Sequence, residues 1–370
     1  MKRIVFLIFG TRPEAIKMYP VYKALLQSKE IEPRVVITSQ HLEMLKQVID
    51  LFRIPVHYDL HVMEERQSLT KITVKVIEGL KEIFQKERPD LVLVHGDTTT
   101  TFSTALAAFY EKIPSGHVEA GLRSFRKFSP YPEEMNRKLT DTLCDIFFAP
   151  TERARNNLLR EGVDPDSVFV TGNTVVDALQ DILEMNSDFE TPFEGEFKII
   201  IVTAHRRENW GEPLRHICEA IDFLSHMYGS SVRFVFSVHK NPSVRSEVNR
   251  ILSNNKYVKL IEPINYADFV HLMSRSYLIL TDSGGIQEEA PTLKKPVLLL
   301  RSISERPEGV EAGFVKVIGT EKNSIIENVE LLLEDRGEYQ KMIAQENPFG
   351  DGLAGKRIAR ITEEFLAKGG

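Results

Sequence analysis

The sequence predicts an α/β protein built from two doubly wound parallel sheets, and three observations carry that expectation. Short apolar runs alternate with amphipathic helical patterns along almost the whole chain. The runs are continuous and rich in β-branched residues, as in strands buried on both faces of a parallel sheet. The rhythm breaks once, at "MNSDFETPFEGEFK" (185–198), where Pro, Gly and acidic residues read as a linker.

"RIVFLIF" (3–9) is the first strand, and Pro13 opens the helix behind it. "RVVIT" (34–38) precedes a helix over 41–53, and a long helix covers 67–87. "DLVLVH" (90–95) runs into a helix that begins with four threonines, and "SGHVE" (115–119) runs into a loop and a helix from 133. "DIFFAP" (145–150) precedes another helix. Past the linker the alternation restarts with "KIIIVTA" (198–204), "RFVFSVH" (233–239), "VKLIEP" (258–263), "YLILTDS" (277–283), "PVLLL" (296–300) and "FVKVIG" (314–319). The expected domains are 1–185, 186–350 and a C-terminal helix, 351–370, returning to the first domain. No internal repeat or low-complexity tract occurs. Ligands of such sheets bind beyond the carboxyl ends of the strands and between domains, so an active site in the interdomain cleft is expected.

Composition narrows the function. A chain of 370 residues exceeds the limit of about 250–300 at which a single core stops growing. A net charge of -6 disfavours nucleic acid as the main partner, since phosphate backbones require a basic face. Cys144 and Cys218 stand in unrelated contexts, so neither a disulfide framework nor a cysteine zinc site is expected, and a reducing cytoplasm is the default. The apolar start of "KRIVFLIFGTRPEAI" is too short for a signal peptide, and nothing approaches the roughly 18 apolar residues of a membrane span. A soluble, cytoplasmic protein is expected.

Nearly every strand ends in unusual polar residues. In "GTRPEAIK", Gly10 permits close backbone approach, and Arg12 and Lys17 lie near a helix start although basic residues oppose the positive end of the helix dipole. Residues two apart on a strand point the same way, so His117 and Glu119 can converge, as can His95 and Asp97. Such pairs suit either a dimetal site or carboxylates for proton transfer, and Glu133 and Glu134 in "SPYPEEMNR" add a further pair. Asp97 is also a candidate cap for the threonine helix. "TAHRREN" (203–209) places His205 and two arginines after a strand, and "SVHKNP" gives His239 by the same logic.

"TDSGGIQEEAPTL" (281–293) is the most specific segment. Ser283, Gly284 and Gly285 start a short helix and offer backbone amides to a phosphate, although the turn is neither a Walker loop nor a GxGxxG fingerprint. Glu289 suits the hydroxyls of a ribose, and "SERPEGVEAG" supplies Arg306. A helix terminus contributes about 0.3–1 kcal/mol to anion binding and a hydrogen bond to a charged group about 1.5–3 kcal/mol, so arginines should carry most of a diphosphate's charge. A nucleotide diphosphate sugar held by the second half, reaching acids of the first, fits these motifs.

Together, "FGTRPEAIKM", "HGDTTTT", "GHVEAGLRS", "SPYPEEMNR", "TGNTVVDAL", "HRREN", "TDSGGIQEEAP", "ERPEGVEAG" and "NPFGDG" resemble the non-hydrolysing UDP-N-acetylglucosamine 2-epimerase family, in the family's order across residues 9–352. The resemblance implies the two-domain glycosyltransferase-B fold, a homodimer, and neither nicotinamide nor metal. It implies loss of the proton at carbon 2 with expulsion of UDP, giving bound 2-acetamidoglucal, and re-addition that yields UDP-N-acetylmannosamine for cell-surface polysaccharide. Carried over by motif, the acid/base and sugar residues are Asp97, Glu119, Glu133 and His205, with Lys17 nearby. The UDP contacts are Arg12, Ser283, Gly284, Gly285, Glu289 and Arg306, with Phe269 and Ile264 beside the uracil. Bacterial members are activated by a second substrate molecule, for which the matching positions are Gln40, His41, Glu43, Arg66, Glu134, Arg207 and His239. Glu43 stands where the activated enzymes are expected to carry glutamine, and its charge would repel a diphosphate. Ala204 stands where glycine is common. The rival chemistries are a hydrolysing epimerase that releases UDP and free N-acetylmannosamine, and a glycosyltransferase of the same fold.

Overall fold

A computed structural model of the chain describes residues 2–39, 42–62, 64, 67–185, 187, 189–193 and 195–369. It comprises two compact units, Met1–Gln180 with Gly350–Gly370, and Asp181–Phe349.

The first unit holds strands β1 (Arg3–Phe9), β2 (Ile31–Ile37), β3 (Tyr58–Asp59), β4 (Leu91–His95), β5 (Ser115–Val118), β6 (Ile146–Ala149) and β7 (Val168–Val170). Their order is β3-β2-β1-β4-β5-β6-β7, and each pairing is parallel. Helices α1 (Arg12–Leu25), α2 (Leu42–Phe52), α3 (Leu69–Lys86), α4 (Thr99–Tyr110), α5 (Glu133–Leu143), α6 (Glu152–Arg160) and α7 (Thr174–Glu184) connect them. The edge strands β3 and β7, two and three residues long, are absent from the sequence expectation.

The second unit repeats the plan. Strands β8 (Lys198–Thr203), β9 (Val232–Ser237), β10 (Val258–Ile261), β11 (Leu278–Thr281), β12 (Val297–Leu299) and β13 (Val315–Val317) run parallel in the order β10-β9-β8-β11-β12-β13. Helices α8 (Glu212–Met227), α9 (Pro242–Leu252), α10 (Tyr266–Arg275), α11 (Gly284–Glu289), α12 (Pro307–Glu311), α13 (Lys322–Glu334) and α14 (Arg336–Ile343) cover it.

The strands lack alternation because both faces are covered: Val5, Phe6, Leu7 and Ile8 are all fully buried. Helix α3 buries Ile72, Val76, Leu80 and Ile83, one stripe at helical spacing, on the core that includes Phe6, Val92 and Val94. The C-terminal helix (Ala354–Ala367) belongs to the first unit, where Asp177 accepts the Ala354 and Gly355 amides at 3.2 and 2.9 Å. A side chain at Gly355 would collide with the Pro20 carbonyl at 2.6 Å, so the two helices meet backbone to backbone.

The stretch read as a linker is in large part tied to the second unit. Arg275 lies over Phe189, and Arg233 over Phe193 and Phe197 at 5.7 and 3.7 Å. These aromatics hold the segment down, and the boundary falls earlier, inside α7.

In each unit the chain leaves the sheet in opposite directions from two adjacent central strands, β1 and β4 in the first, β8 and β11 in the second. The crevice above such a reversal is where open parallel sheets bind ligands. Four of the polar turns that the sequence singles out follow these strands.

Candidate functional site

Above β1 and β4 the turns are drawn together by Glu14, which the sequence pattern does not single out. It is only 3 % exposed, and its Oε2 accepts the amides of Gly10 (3.0 Å) and Thr11 (2.8 Å) and the Thr11 hydroxyl (2.7 Å). Its Oε1 accepts the Thr98 hydroxyl at 2.7 Å, and Thr101 Oγ1 lies 3.0 Å away. Burial raises the pKa of this carboxyl, while the Thr98, Thr11, Gly10 and Thr101 hydrogen bonds lower it. Thr100 pairs with Thr38 at 3.0 Å, and a side chain at Gly10 would lie 2.1 Å from Thr38 Oγ1. The threonines therefore bind the two turns to each other. The cap of α4 is Thr98, which accepts the Thr101 amide at 3.1 Å, and not Asp97.

Asp97 faces a cation instead. Arg137 on α5 donates to its Oδ2 at 2.6 Å, and Asn136 donates to its backbone carbonyl at 2.9 Å. Neither Arg137 nor Asn136 is singled out by the sequence, although both stand three or four residues after Glu133, one helical turn on. Glu133, the first residue of α5, is half-buried. Glu134 is buried and accepts the Ser124 and Phe125 amides at 2.8 and 2.9 Å, with Arg137 at 3.3 Å.

The expected convergence of His117 and Glu119 does not occur. Strand β5 ends at Val118, and Glu119 has φ +67°, so the two-residue alternation stops one residue early. His117 points into the core, with Nδ1 2.6 Å from Asp141 and Nε2 2.7 Å from the Gly96 carbonyl. Burial raises the pKa of Asp141, yet His117 and Arg123 hold it below the ordinary value. With both ring nitrogens engaged, His117 has no lone pair left for a metal. Among the described residues no group of three or more His, Cys, Asp or Glu could hold a metal ion.

Glu119 pairs with Lys17, both nearly buried, and accepts the Asn173 amide at 2.9 Å. A non-glycine residue in the left-handed region costs roughly 1–3 kcal/mol, a cost tolerated at sites that fix a functional side chain. Lys17–Glu119 and Arg137–Asp97 thus form two ion pairs at the ends of the neighbouring strands β5 and β4, the first nearly buried and the second with Asp97 partly exposed. Arg12 sits at the first turn of α1, partly exposed.

The second unit has its own carboxylate clamp. Asp282 is fully buried, and its Oδ2 accepts the amides of His205 (2.9 Å) and Arg206 (2.8 Å) and the Asn209 side chain (2.9 Å). Nothing in the motif "TDSGG" marks Asp282 as the residue that gathers these groups. His205 Nδ1 lies 3.1 Å from Asp282 Oδ1, which orients the ring. Burial lowers the His205 pKa, Asp282 opposes the shift, and Arg206 and His239 reinforce it. His239 is exposed, its ring 6.1 Å from that of His205. Arg206 pairs with Glu305 and also donates to the Asp282 carbonyl at 3.1 Å.

The Ser283 amide is already donated to Thr281 Oγ1 at 3.0 Å, leaving Gly284 and Gly285 as the open part of that turn. Glu289 accepts the Tyr266 hydroxyl at 3.0 Å, joining α11 to α10, where Phe269 is half-buried and Ile264 precedes the helix. Arg306 pairs with buried Glu288 and donates to the Glu305 carbonyl at 3.1 Å, so its guanidinium is held in place. Arg207 and Glu43 are exposed, and Gln40, His41 and Arg66 lie outside the described residues.

Two all-parallel doubly wound units, with polar turns above each reversal, place the protein in the glycosyltransferase-B-type α/β class. Comparisons with known proteins narrow this. Residues 23–363 match the family model described as UDP-N-acetylglucosamine 2-epimerase. The chain is 51 % identical to the UDP-N-acetylglucosamine 2-epimerase of Escherichia coli K12 over 364 residues, 96 % of each chain. A crystal structure of UDP-GlcNAc 2-epimerase from Neisseria meningitidis bound to UDP-GlcNAc is 48 % identical, with a TM-score of 0.86 over 99 % of this chain and 100 % of that one. S. aureus MnaA in a co-structure with UDP is 49 % identical, with a TM-score of 0.89 over 99 % and 97 %. The chain belongs to the UDP-N-acetylglucosamine 2-epimerase family.

Proposed function

We propose that the protein interconverts UDP-N-acetylglucosamine and UDP-N-acetylmannosamine without net hydrolysis, supplying the manno epimer for surface polysaccharide. The observation that carries this proposal is the pair of carboxylates at the ends of β4 and β5, each facing a cation, Asp97 with Arg137 and Glu119 with Lys17.

A hydrogen beside the anomeric carbon is weakly acidic, so its removal requires a positioned base, worth about 10²–10⁴-fold. Inversion at carbon 2 requires proton transfer on two faces, which gives two carboxylates distinct work. Asp97 and Glu119 are assigned to the proton. Its removal forms the carbon 1–carbon 2 double bond as the carbon 1–oxygen bond to UDP breaks, leaving 2-acetamidoglucal. Re-addition of UDP to carbon 1 and of a proton to the other face of carbon 2 balances the reaction. Glu133 and His205 are assigned to charge and leaving-group handling. Expelled UDP must stay bound to re-add, which suits the Gly284–Gly285 turn, Arg306 and Arg12 for the diphosphate, Glu289 for the ribose, and Ile264 and Phe269 for the uracil.

The test is a mass balance. With UDP-N-acetylglucosamine as sole substrate, free UDP is expected to stay at or below the enzyme concentration while both UDP-sugars reach a constant ratio. UDP accumulating in step with free N-acetylmannosamine would show the hydrolysing reaction instead.

A further inference from the structure

Two buried histidines on neighbouring strands are treated in opposite ways. His117 has a partner on each ring nitrogen, Asp141 and the Gly96 carbonyl. His95, at the end of β4, is 3 % exposed, and neither Nδ1 nor Nε2 has a hydrogen-bond partner among the described residues. An unpaired buried polar group costs about 1–3 kcal/mol, which a phenylalanine in the same space would avoid. The backbone of His95 is fixed as well, because its carbonyl lies 2.6 Å from the Thr101 hydroxyl. Its Nε2 is aimed at the proposed acid/base centre, 3.8 Å from Glu119 Oε2.

We propose that His95 is a positioning residue for Glu119: an uncharged imidazole that closes the remaining gap and hydrogen-bonds the Glu119 carboxyl through Nε2 in both of its protonation states. The proposal rests on Glu119 being one of the two acid/base groups. When Glu119 is ionised, the Nε2–H tautomer donates to it, beside Lys17 and Asn173. When Glu119 has taken the carbon 2 proton, the same Nε2–H donates to the carbonyl oxygen that the carboxyl retains, so the ring keeps one tautomer throughout. No proton is gained or lost by the pair beyond the one exchanged with carbon 2.

A neutral ring suits this behaviour, since an imidazolium would hold Glu119 as a carboxylate and oppose its taking the proton. Burial is the largest influence on His95 and lowers its pKa to about 4; Glu119 and Asp97 oppose the shift, and Lys17 and His117 add to it. The ring is therefore uncharged at neutral pH.

The experiment compares His95→Phe and His95→Gln in the full chain, with kcat and KM for UDP-N-acetylglucosamine measured across pH, beside deuterium uptake at carbon 2 by the wild-type protein. Phe fills the space without a hydrogen bond; the Gln amide can donate and accept near the Nε2 position. His95→Phe is expected to lower kcat about 100-fold with KM within about threefold, and to displace the pH profile of kcat. His95→Gln is expected to recover at least about tenfold of that loss. A Phe variant with wild-type kcat and pH profile overturns the proposal. So does equal loss in both variants with a matching fall in Tm, the signature of a structural role. If His95→Phe does not fold, His95→Gln alone decides: a displaced pH profile of kcat supports the proposal and an unchanged one overturns it. Wild-type turnover without deuterium at carbon 2 overturns the assignment of Glu119 itself, a different failure read before any variant.

Discussion

The two units solve one structural problem in the same way and then present different chemistry. In each, a buried carboxylate reaches across the reversal in the sheet and gathers the neighbouring turn. Glu14 extends from the turn after β1 to the threonines after β4, and Asp282 from the turn after β11 to the His205 and Arg206 amides after β8. What the clamps hold differs. The first unit presents Lys17 and Glu119 with side chains 11 % and 9 % exposed, whereas in the second His205 and Arg206 are 43 % and 30 % exposed. Charges in a low-dielectric setting interact strongly and are fixed in place, as proton transfer demands. A partly solvated guanidinium such as that of Arg206 is screened and keeps donors available to an incoming anion. In this comparison the nearly buried ion pair of the first unit suits the proton transfer proposed for it, and the more solvated side chains of the second suit the proposed hold on an anion.

The largest effect expected from breaking it is at Asp97. Asp97→Asn should lower kcat by about 10²–10⁴-fold while UDP affinity, measured by calorimetry, stays unchanged. Loss of UDP affinity with kcat intact would reverse the assignment of the two units.

Removing a clamp should act on the fold. Glu14→Ala leaves the Gly10 and Thr11 amides without their acceptor in a buried turn, and a loss of about 3 kcal/mol in unfolding free energy is expected from denaturant titration. A change below about 0.5 kcal/mol would mean that the threonine hydroxyls hold the turns unaided.

His95 adds a pH dependence of comparable size. Its folded pKa, about 4, lies below the unfolded value near 6.5, so between these the unfolded chain binds the extra proton. This contribution is complete above about pH 6.5 and is lost as pH falls towards 4, by up to about 3 kcal/mol. Denaturation across that window should show the decline in the wild type and a shallower one in His95→Gln; equal slopes would contradict it.

In the second unit, Arg306→Ala should weaken UDP binding by about 2 kcal/mol, roughly thirtyfold, while deuterium exchange at saturating substrate persists. Unchanged UDP affinity would remove Arg306 from the diphosphate contacts.

Much of this organisation was legible in the sequence. Buried parallel strands announce themselves by continuous apolar runs, and the turns carrying Asp97, Glu119, His205 and Ser283 stood out as polar residues at strand ends. The residues that hold them did not. Glu14 reads as an ordinary first-turn helix residue, Asp282 as the end of a strand, and Arg137 as a helix surface cation, because each acts on a partner 40 or more positions away. The His117–Glu119 expectation failed for a local reason: alternation holds only while the strand lasts, and β5 ends between the two residues.

The central claim is that a proton leaves carbon 2 while UDP departs and remains bound. ¹H NMR of UDP-N-acetylglucosamine with the protein in deuterated water tests it most directly. The carbon 2 hydrogen signal should disappear as the manno epimer forms, with both sugars deuterated at that carbon at equilibrium. Epimer formed with its original hydrogen retained would contradict the elimination mechanism.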